Sequence, residues 1–283
     1  MARIVGAITT SHVPAIGKAM ARRLQQDPEW KPFFDGFDPV HKWLAHTKPD
    51  VAVVIYNDHG LGMFLDKMPT FAVAAAAEYR NADEGWGLPV AAPFRGDPGF
   101  SWHLIESLVA DEFDITSCQE MLVDHAFAIP MNLMWPYQEP KPVRAIPVLV
   151  NGIQHPLPLP SRCFKFGQAL GRAIESYPED LKVLVVGTGG MSHQLDGTRA
   201  GFINKEFDRM CLEKLVDDPQ ALTRYSIRDI AELAGAQGVE IIMWLTARAT
   251  LTGKVSKVHS QYRVPVSNTA TGLLALENAA TAA

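Results

Sequence analysis

Val183-Leu184-Val185-Val186-Gly187-Thr188-Gly189-Gly190-Met191-Ser192-His193 is an apolar, β-branched run that breaks into glycines and closes on a histidine. Its first half has the length and composition of a buried strand. The same figure recurs at Ile4-Val5-Gly6-Ala7-Ile8, which leads to His12, and at Val51-Ala52-Val53-Val54-Ile55, which leads to His59. In a parallel α/β sheet, ligands sit outside the carboxyl ends of the strands. Three strands that each end near an imidazole therefore predict one site assembled from distant sequence. Clustered imidazoles bind transition metals and move protons.

Outward from these runs, strand and helix signals alternate, which predicts an α/β fold. The expected architecture is a central sheet, mostly parallel or mixed, flanked by helices. The active site is expected at the strand C-terminal ends, and residues 1–283 are read as a single catalytic domain. Strands are expected over residues 3–9, 51–55, 70–77, 115–123, 145–150 and 183–186. Helices are expected over 16–25, 39–46, 102–111, 163–176, 202–215, 226–234 and 240–250. Residues 26–38 mix proline, glycine and aromatics, 81–98 hold many glycines, prolines and aspartates, and 130–142 is rich in proline, so all three read as loops. Residues 263–273 read as extended and polar, and the alanine-rich tail from Glu277 is expected to fray.

Composition narrows the partners. The net charge is -5 and no block of lysine and arginine appears, which argues against nucleic acid. The longest apolar stretch, around residues 71–77, is far too short to span a bilayer, and the N-terminus lacks the pattern of a secretory signal. Cys118, Cys163 and Cys211 are widely spaced and odd in number, so they read as buried apolar residues in a reducing cytoplasm. Cytoplasmic localisation is expected.

His12 and His59 each follow a strand, and Glu240 stands at the start of a predicted helix, where the dipole favours a carboxylate. Two imidazoles and one carboxylate match the facial triad of non-haem Fe(II) oxygenases. Fe²⁺ with one carboxylate keeps a charge of +1, which a catecholate monoanion would neutralise. Zinc accepts the same ligands. His41, His46, His103, His155 and His259 read as surface or hydrogen-bonded side chains. The turn Gly187-x-Gly189-Gly190 is also compatible with a dinucleotide cradle, but Ser192 replaces the third glycine. A glycine turn that aims His193 at a small ligand fits better.

Longer motifs carry a resemblance. Thr10-Ser11-His12-Val13-Pro14, Tyr56-Asn57-Asp58-His59, Ala82-Asp83-Glu84-Gly85-Trp86-Gly87, the segment from Gly187 to Leu195, Ile203-Asn204-Lys205-Glu206-Phe207-Asp208 and Pro265-Val266-Ser267-Asn268-Thr269-Ala270 follow in order. With them the chain closely resembles the β (catalytic) subunits of protocatechuate 4,5-dioxygenases, the LigB type of extradiol ring-cleaving enzyme. The resemblance implies Fe(II) held by His12, His59 and Glu240, and His193 as acid/base. It implies that His125 lines the substrate pocket and takes part in catalysis, and that Ser267 and Asn268 contact the aromatic acid. It implies 4,5 cleavage of protocatechuate by O2 to 4-carboxy-2-hydroxymuconate semialdehyde. The chain ends soon after Ser267-Asn268, so a separate small helical α subunit in an α2β2 assembly is expected. The rival readings are the same chemistry on gallate or a 3-O-methylated gallate, a zinc hydrolase, and a non-enzymatic binding protein of the same fold.

Overall fold

Six consecutive residues of one strand, Val51–Tyr56, are all buried, yet they serve two different cores. Val51, Val53 and Ile55 face one; Ala52, Val54 and Tyr56 face the other. The period-two alternation of a strand splits an unbroken apolar run between the two faces of a sheet. Fully burying each such aliphatic side chain contributes about 1.5–3 kcal/mol. The fold comes from a computed structural model, which describes residues 1–85, 87–88, 92–264 and 267–279. Trp86, Pro265 and Val266 of the motifs, and the expected fraying at 280–283, lie outside the described residues.

The strands are β1 Arg3–Thr10, β2 Val51–Tyr56, β3 Phe71–Ala74, β4 Glu78–Asn81, β5 Phe94–Arg95, β6 Thr116–Cys118, β7 Leu122–Val123, β8 Arg144–Val150, β9 Lys182–Thr188, β10 Val255–Arg263 and β11 Thr271–Asn278. The helices are α1 Pro14–Ala21, α2 Lys31–Asp35, α3 Asp38–Thr47, α4 Pro98–Ala110, α5 His125–Met134, α6 Pro160–Glu175, α7 Lys205–Asp217, α8 Ile227–Ala234 and α9 Ile241–Ala249. Among the described residues, eight strands form one mixed sheet in the order β10-β11-β1-β9-β2-β8-β3-β6. Its centre, β1-β9-β2-β8, is parallel; β11 and β3 join it antiparallel. A small sheet, β5-β4-β7, lies apart.

One core holds residues of α4, α6, α7 and α9, and the other residues of α1, α3 and α5. Helix α6 meets α9 at close range because Gly167 has no side chain: a Cβ there would stand 2.2 Å from the Thr246 carbonyl oxygen. The expected mixed sheet flanked by helices is therefore present. β1, β9 and β2 are neighbours running the same way, so the residues after them emerge at one edge.

Several local expectations differ. Residues 130–142 are not simply loop, because α5 runs His125–Met134 with Pro130 inside it. All but one of its residues are buried, so it carries no polar face to betray a helical period. The loop expected at 26–38 contains α2, and that at 81–98 contains β5. The single strand expected over 115–123 is two short strands in different sheets. β10 was not anticipated. β11 extends to Asn278, and its last residues Glu277 and Asn278 pair with Ser256 and Val255 of β10, so they are laddered rather than frayed.

Candidate active site

His12 stands two residues beyond β1. Ser11 pins the turn: its N–H donates to the Gly272 carbonyl (3.1 Å), and its Oγ accepts from Gly272 N (3.0 Å). His12 Nδ1 pairs with Thr188 Oγ1 at the end of β9 (3.0 Å). Its other ring nitrogen, Nε2, is buried without a hydrogen bond and lies 3.4 Å from Glu240 Oε2.

His59 follows β2 through Asn57 and Asp58. The Asp58 carboxylate accepts the backbone N–H groups of Gly60, Leu61, Gly62 and Met63, which curls the chain tightly after His59. Asp124 Oδ2 accepts both the backbone N–H of His59 (2.9 Å) and its ring Nδ1 (2.7 Å). An ionised carboxylate can only accept, so Nδ1 carries the hydrogen and Nε2 is turned to Glu240, 3.7 Å from Oε1. Burial pulls the His59 pKa down, but Asp124 and Glu240 outweigh it and hold the ring at about 10.

Glu240 ends a 3₁₀ turn, Ala236–Glu240, that leads into α9. Its carboxylate is buried and accepts from Gly190 N (2.7 Å) and Asn57 Nδ2 (3.2 Å). Burial works against the charge, but His12, His59 and His193 prevail and hold its pKa well below the ordinary carboxylate value. The glycine turn after β9 has its explanation here. Gly189 sits at φ +146, and a Cβ on it would come within 2.9 Å of the Glu240 Cβ. The turn wraps a carboxylate of its own chain rather than opening a phosphate cradle.

His125 begins α5. Glu84 takes its backbone N–H (2.6 Å) and its Nδ1 (2.7 Å). His59 and His125 stack at 4.3 Å, and His12 stands edge-on to both at 5.4 and 5.5 Å. His193 is buried, and its Nδ1 makes no hydrogen bond. Burial keeps its pKa below 6.5 despite Glu240, so the ring is neutral at pH 7.

His12, His59, His125, His193, Glu240, Ser267 and Asn268 all line one cavity of about 710 Å³. Every site residue expected from sequence is therefore on this wall. His155, read from sequence as an ordinary loop histidine, lies there too. His41 instead bonds the Leu133 carbonyl, and His103 the Ala173 carbonyl and Ser176. Sequence reasoning gave no role to Asn57, Glu84, Asp124 or Thr188. Asp124 had a signal, a carboxylate beside a histidine; Glu84 lies 41 residues from His125 and had none.

Two donor sets for a cation are at hand. His12, His59 and Glu240 offer two nitrogens and an anionic oxygen, with the partnerless His12 Nε2 among them. His12, His59 and His125 also bring one nitrogen each within 4.8 Å of the others. Either set suits a divalent first-row transition metal. The first also neutralises part of its charge.

Residues 6–273 match the model of a family described as the catalytic LigB subunit of aromatic ring-opening dioxygenase. The chain is 46% identical over 197 residues to gallate dioxygenase of Pseudomonas putida, covering 70% of this chain and 58% of that protein. It is 30% identical over 192 residues to a 2,3-dihydroxyphenylpropionate/2,3-dihydroxicinnamic acid 1,2-dioxygenase of Rhodococcus jostii, covering 67% of this chain and 56% of that one. It thus spans less than two thirds of the length of these relatives. A crystal structure of an uncharacterized Escherichia coli K12 protein superposes with a TM-score of 0.55 at 11% identity, over 97% of this chain and 100% of the other, a likeness of fold alone. Among the described residues, no helix is long and apolar enough to cross a membrane.

Proposed function

The chain belongs to the LigB family of aromatic ring-opening dioxygenases, and from that premise we propose that it is an Fe(II)-dependent extradiol enzyme. Its substrate in this reading is protocatechuate, opened between carbons 4 and 5 by O2 to 4-carboxy-2-hydroxymuconate semialdehyde. One observation carries the reading: His12, His59 and Glu240, delivered by three distant segments, meet on the same cavity wall as His193 and His125.

His12, His59 and Glu240 are the proposed iron ligands. When bound, iron(II) would anchor the two adjacent ring oxygens and mediate electron flow from the ring to O2. The chain's own groups do the rest. His193, neutral at pH 7 because it is buried, accepts the proton of a ring hydroxyl and returns it as the ring opens. His125, held through Nδ1 by Glu84, turns the opposite edge of its ring to the substrate oxygens. Ser267 Oγ, buried without a partner, and the Asn268 amide are the donors for the substrate carboxylate. Asp124 holds the hydrogen on His59 Nδ1, so Nε2 is the nitrogen that would give up its proton to serve a metal.

Residues 1–283 act in this reading as one catalytic domain working in the cytoplasm, covered by a small helical α subunit in an α2β2 assembly. The open cavity mouth supports such a cover, since the His59 side chain is 28% exposed and Leu195, on the same wall, is 56% exposed. A second reading, gallate or 3-O-methylgallate as substrate, is favoured by the 46% identity to a gallate dioxygenase. The test is oxygen uptake with protocatechuate, gallate and 3-O-methylgallate after anaerobic loading with Fe²⁺ or Zn²⁺, with and without a co-expressed α subunit. A yellow ring-fission product from the iron form with protocatechuate supports the first reading. Oxygen uptake confined to gallate or its methyl ether transfers the assignment to the second. No uptake with any of the three acids refutes both.

A further inference from the structure

The segment Ile203-Asn204-Lys205-Glu206-Phe207-Asp208 has no place in the site just described, yet it ends on a buried carboxylate. Asp208 lies in the first turn of α7 and is 1% exposed. Its Oδ1 accepts two hydrogen bonds from one residue, the backbone N–H of Ser192 (2.8 Å) and the Ser192 hydroxyl (2.8 Å). Its Oδ2 accepts from the Tyr262 hydroxyl on β10 (2.7 Å). The Ser192 Oγ accepts in turn from Asn204 N (3.0 Å), and Asn204 caps α7 by accepting from Phe207 N (3.0 Å). Ser192 is thus gripped on its backbone and side chain by the N-terminal turn of one helix.

Ser192 stands between the glycine turn and His193. Its carbonyl accepts from Ala270 N (2.9 Å), and His193 forms an antiparallel bridge with Thr269. The His193 backbone is also tied to Ala234 and Gln237. None of these contacts is made by the imidazole, whose Nδ1 has no hydrogen bond, so the ring is aimed through its backbone. Burying a carboxylate is costly unless its lone pairs are used, and all of the donors this one collects converge on Ser192 or on the strand beside it.

We infer that Asp208 is a positioning residue for His193, setting the direction of the acid/base through Ser192. The inference rests on the proposed acid–base role of His193. Asp208→Ala leaves the Ser192 N–H without its acceptor and the hydroxyl with only a long 3.5 Å contact to the Asn204 carbonyl, which loosens the segment.

The experiment compares wild type, Asp208→Ala, Asp208→Asn, Tyr262→Phe and His193→Phe as iron-loaded protein, measuring hydrogen exchange by peptide, iron content, kcat and KM. In Asp208→Ala, exchange over residues 190–194 rises at least about tenfold while residues 183–188 keep wild-type protection. There kcat falls at least about tenfold per bound iron, with KM changed less than about threefold. Asp208→Asn retains an oxygen for Ser192 and brings kcat back to within about threefold of wild type. Tyr262→Phe, which removes only the outer donor, gives a smaller shift in the same direction and keeps the test decisive if Asp208→Ala does not fold. Unchanged exchange over 190–194 in both variants overturns the clamp and leaves the His193 reading intact. Faster exchange with unchanged kcat per iron overturns the positioning role. Wild-type turnover in His193→Phe removes the acid–base reading, and this inference with it.

Discussion

Asp124 grips two parts of the site with one carboxylate, and replacing it separates them. Oδ2 takes both His59 donors, and Oδ1 caps α5 through Ala126 N (3.0 Å). In Asp124→Asn one oxygen becomes an amide NH2. If that group faces His59, two donors meet a donor and His59 must move its hydrogen to Nε2, closing the nitrogen that faces Glu240. If it faces Ala126 instead, the tautomer survives but the cap is lost, at about 1 kcal/mol. The second arrangement costs less, so the Asn chain keeps a neutral hydrogen bond to His59, roughly half as strong as the charged one. Loss of an outer-shell partner typically lowers metal affinity by about 10- to 100-fold, or about 1.4–2.8 kcal/mol. Asp124→Asn is therefore expected near the lower figure and Asp124→Ala near the upper. The assay is anaerobic calorimetric titration with Fe²⁺, with thermal melts reporting the cap. An Ala chain that binds Fe²⁺ within about twofold of wild type, or an Asn chain weaker than Ala, would refute the reasoning.

Glu240→Ala should lose iron on dialysis, whereas His125→Ala should retain it; the reverse outcome would transfer the ligand role to the three-histidine set. His193→Phe should hold iron and substrate but lose about 10²- to 10⁴-fold in turnover, since acid–base catalysis contributes on that scale. Because burial lowers the His193 pKa below 6.5, kcat/KM should be flat through neutral pH and fall only as acid protonates the ring. The same lowered pKa means that stability owed to the neutral ring is present above pH 6.5 and drains as pH drops through the folded value. A titration limb centred above pH 7 would contradict the assignment. Gly167→Ala should cost about 1–3 kcal/mol in a denaturant melt, because its Cβ would press on the Thr246 carbonyl of α9.

The strands that matter most were legible because both faces of a parallel sheet are buried, which writes them as unbroken β-branched runs. Histidines after three such runs gave the edge of the sheet before any helix was placed. β10 was not legible for the opposite reason: its residues are half-buried or exposed, with Lys257, His259 and Gln261 in it, so neither a clean alternation nor an apolar run appears. Helix α5 was hidden by Pro130 and by burial on nearly every side. In the site, His12, His59, His193 and Glu240 could be singled out because each ends or begins an element. Glu84 and Asp208 act on neighbours far along the chain, and nothing local marks a carboxylate as another residue's acceptor.

The pairing of Asn57 with Glu240 spans 183 residues, and that of His12 with Thr188 spans 176. No fragment of the chain that stops short of Glu240 can contain both the imidazoles and the carboxylate of the cradle. During synthesis His12, His59 and His125 all precede their acidic counterpart by more than a hundred residues, so an early cation would meet imidazoles alone.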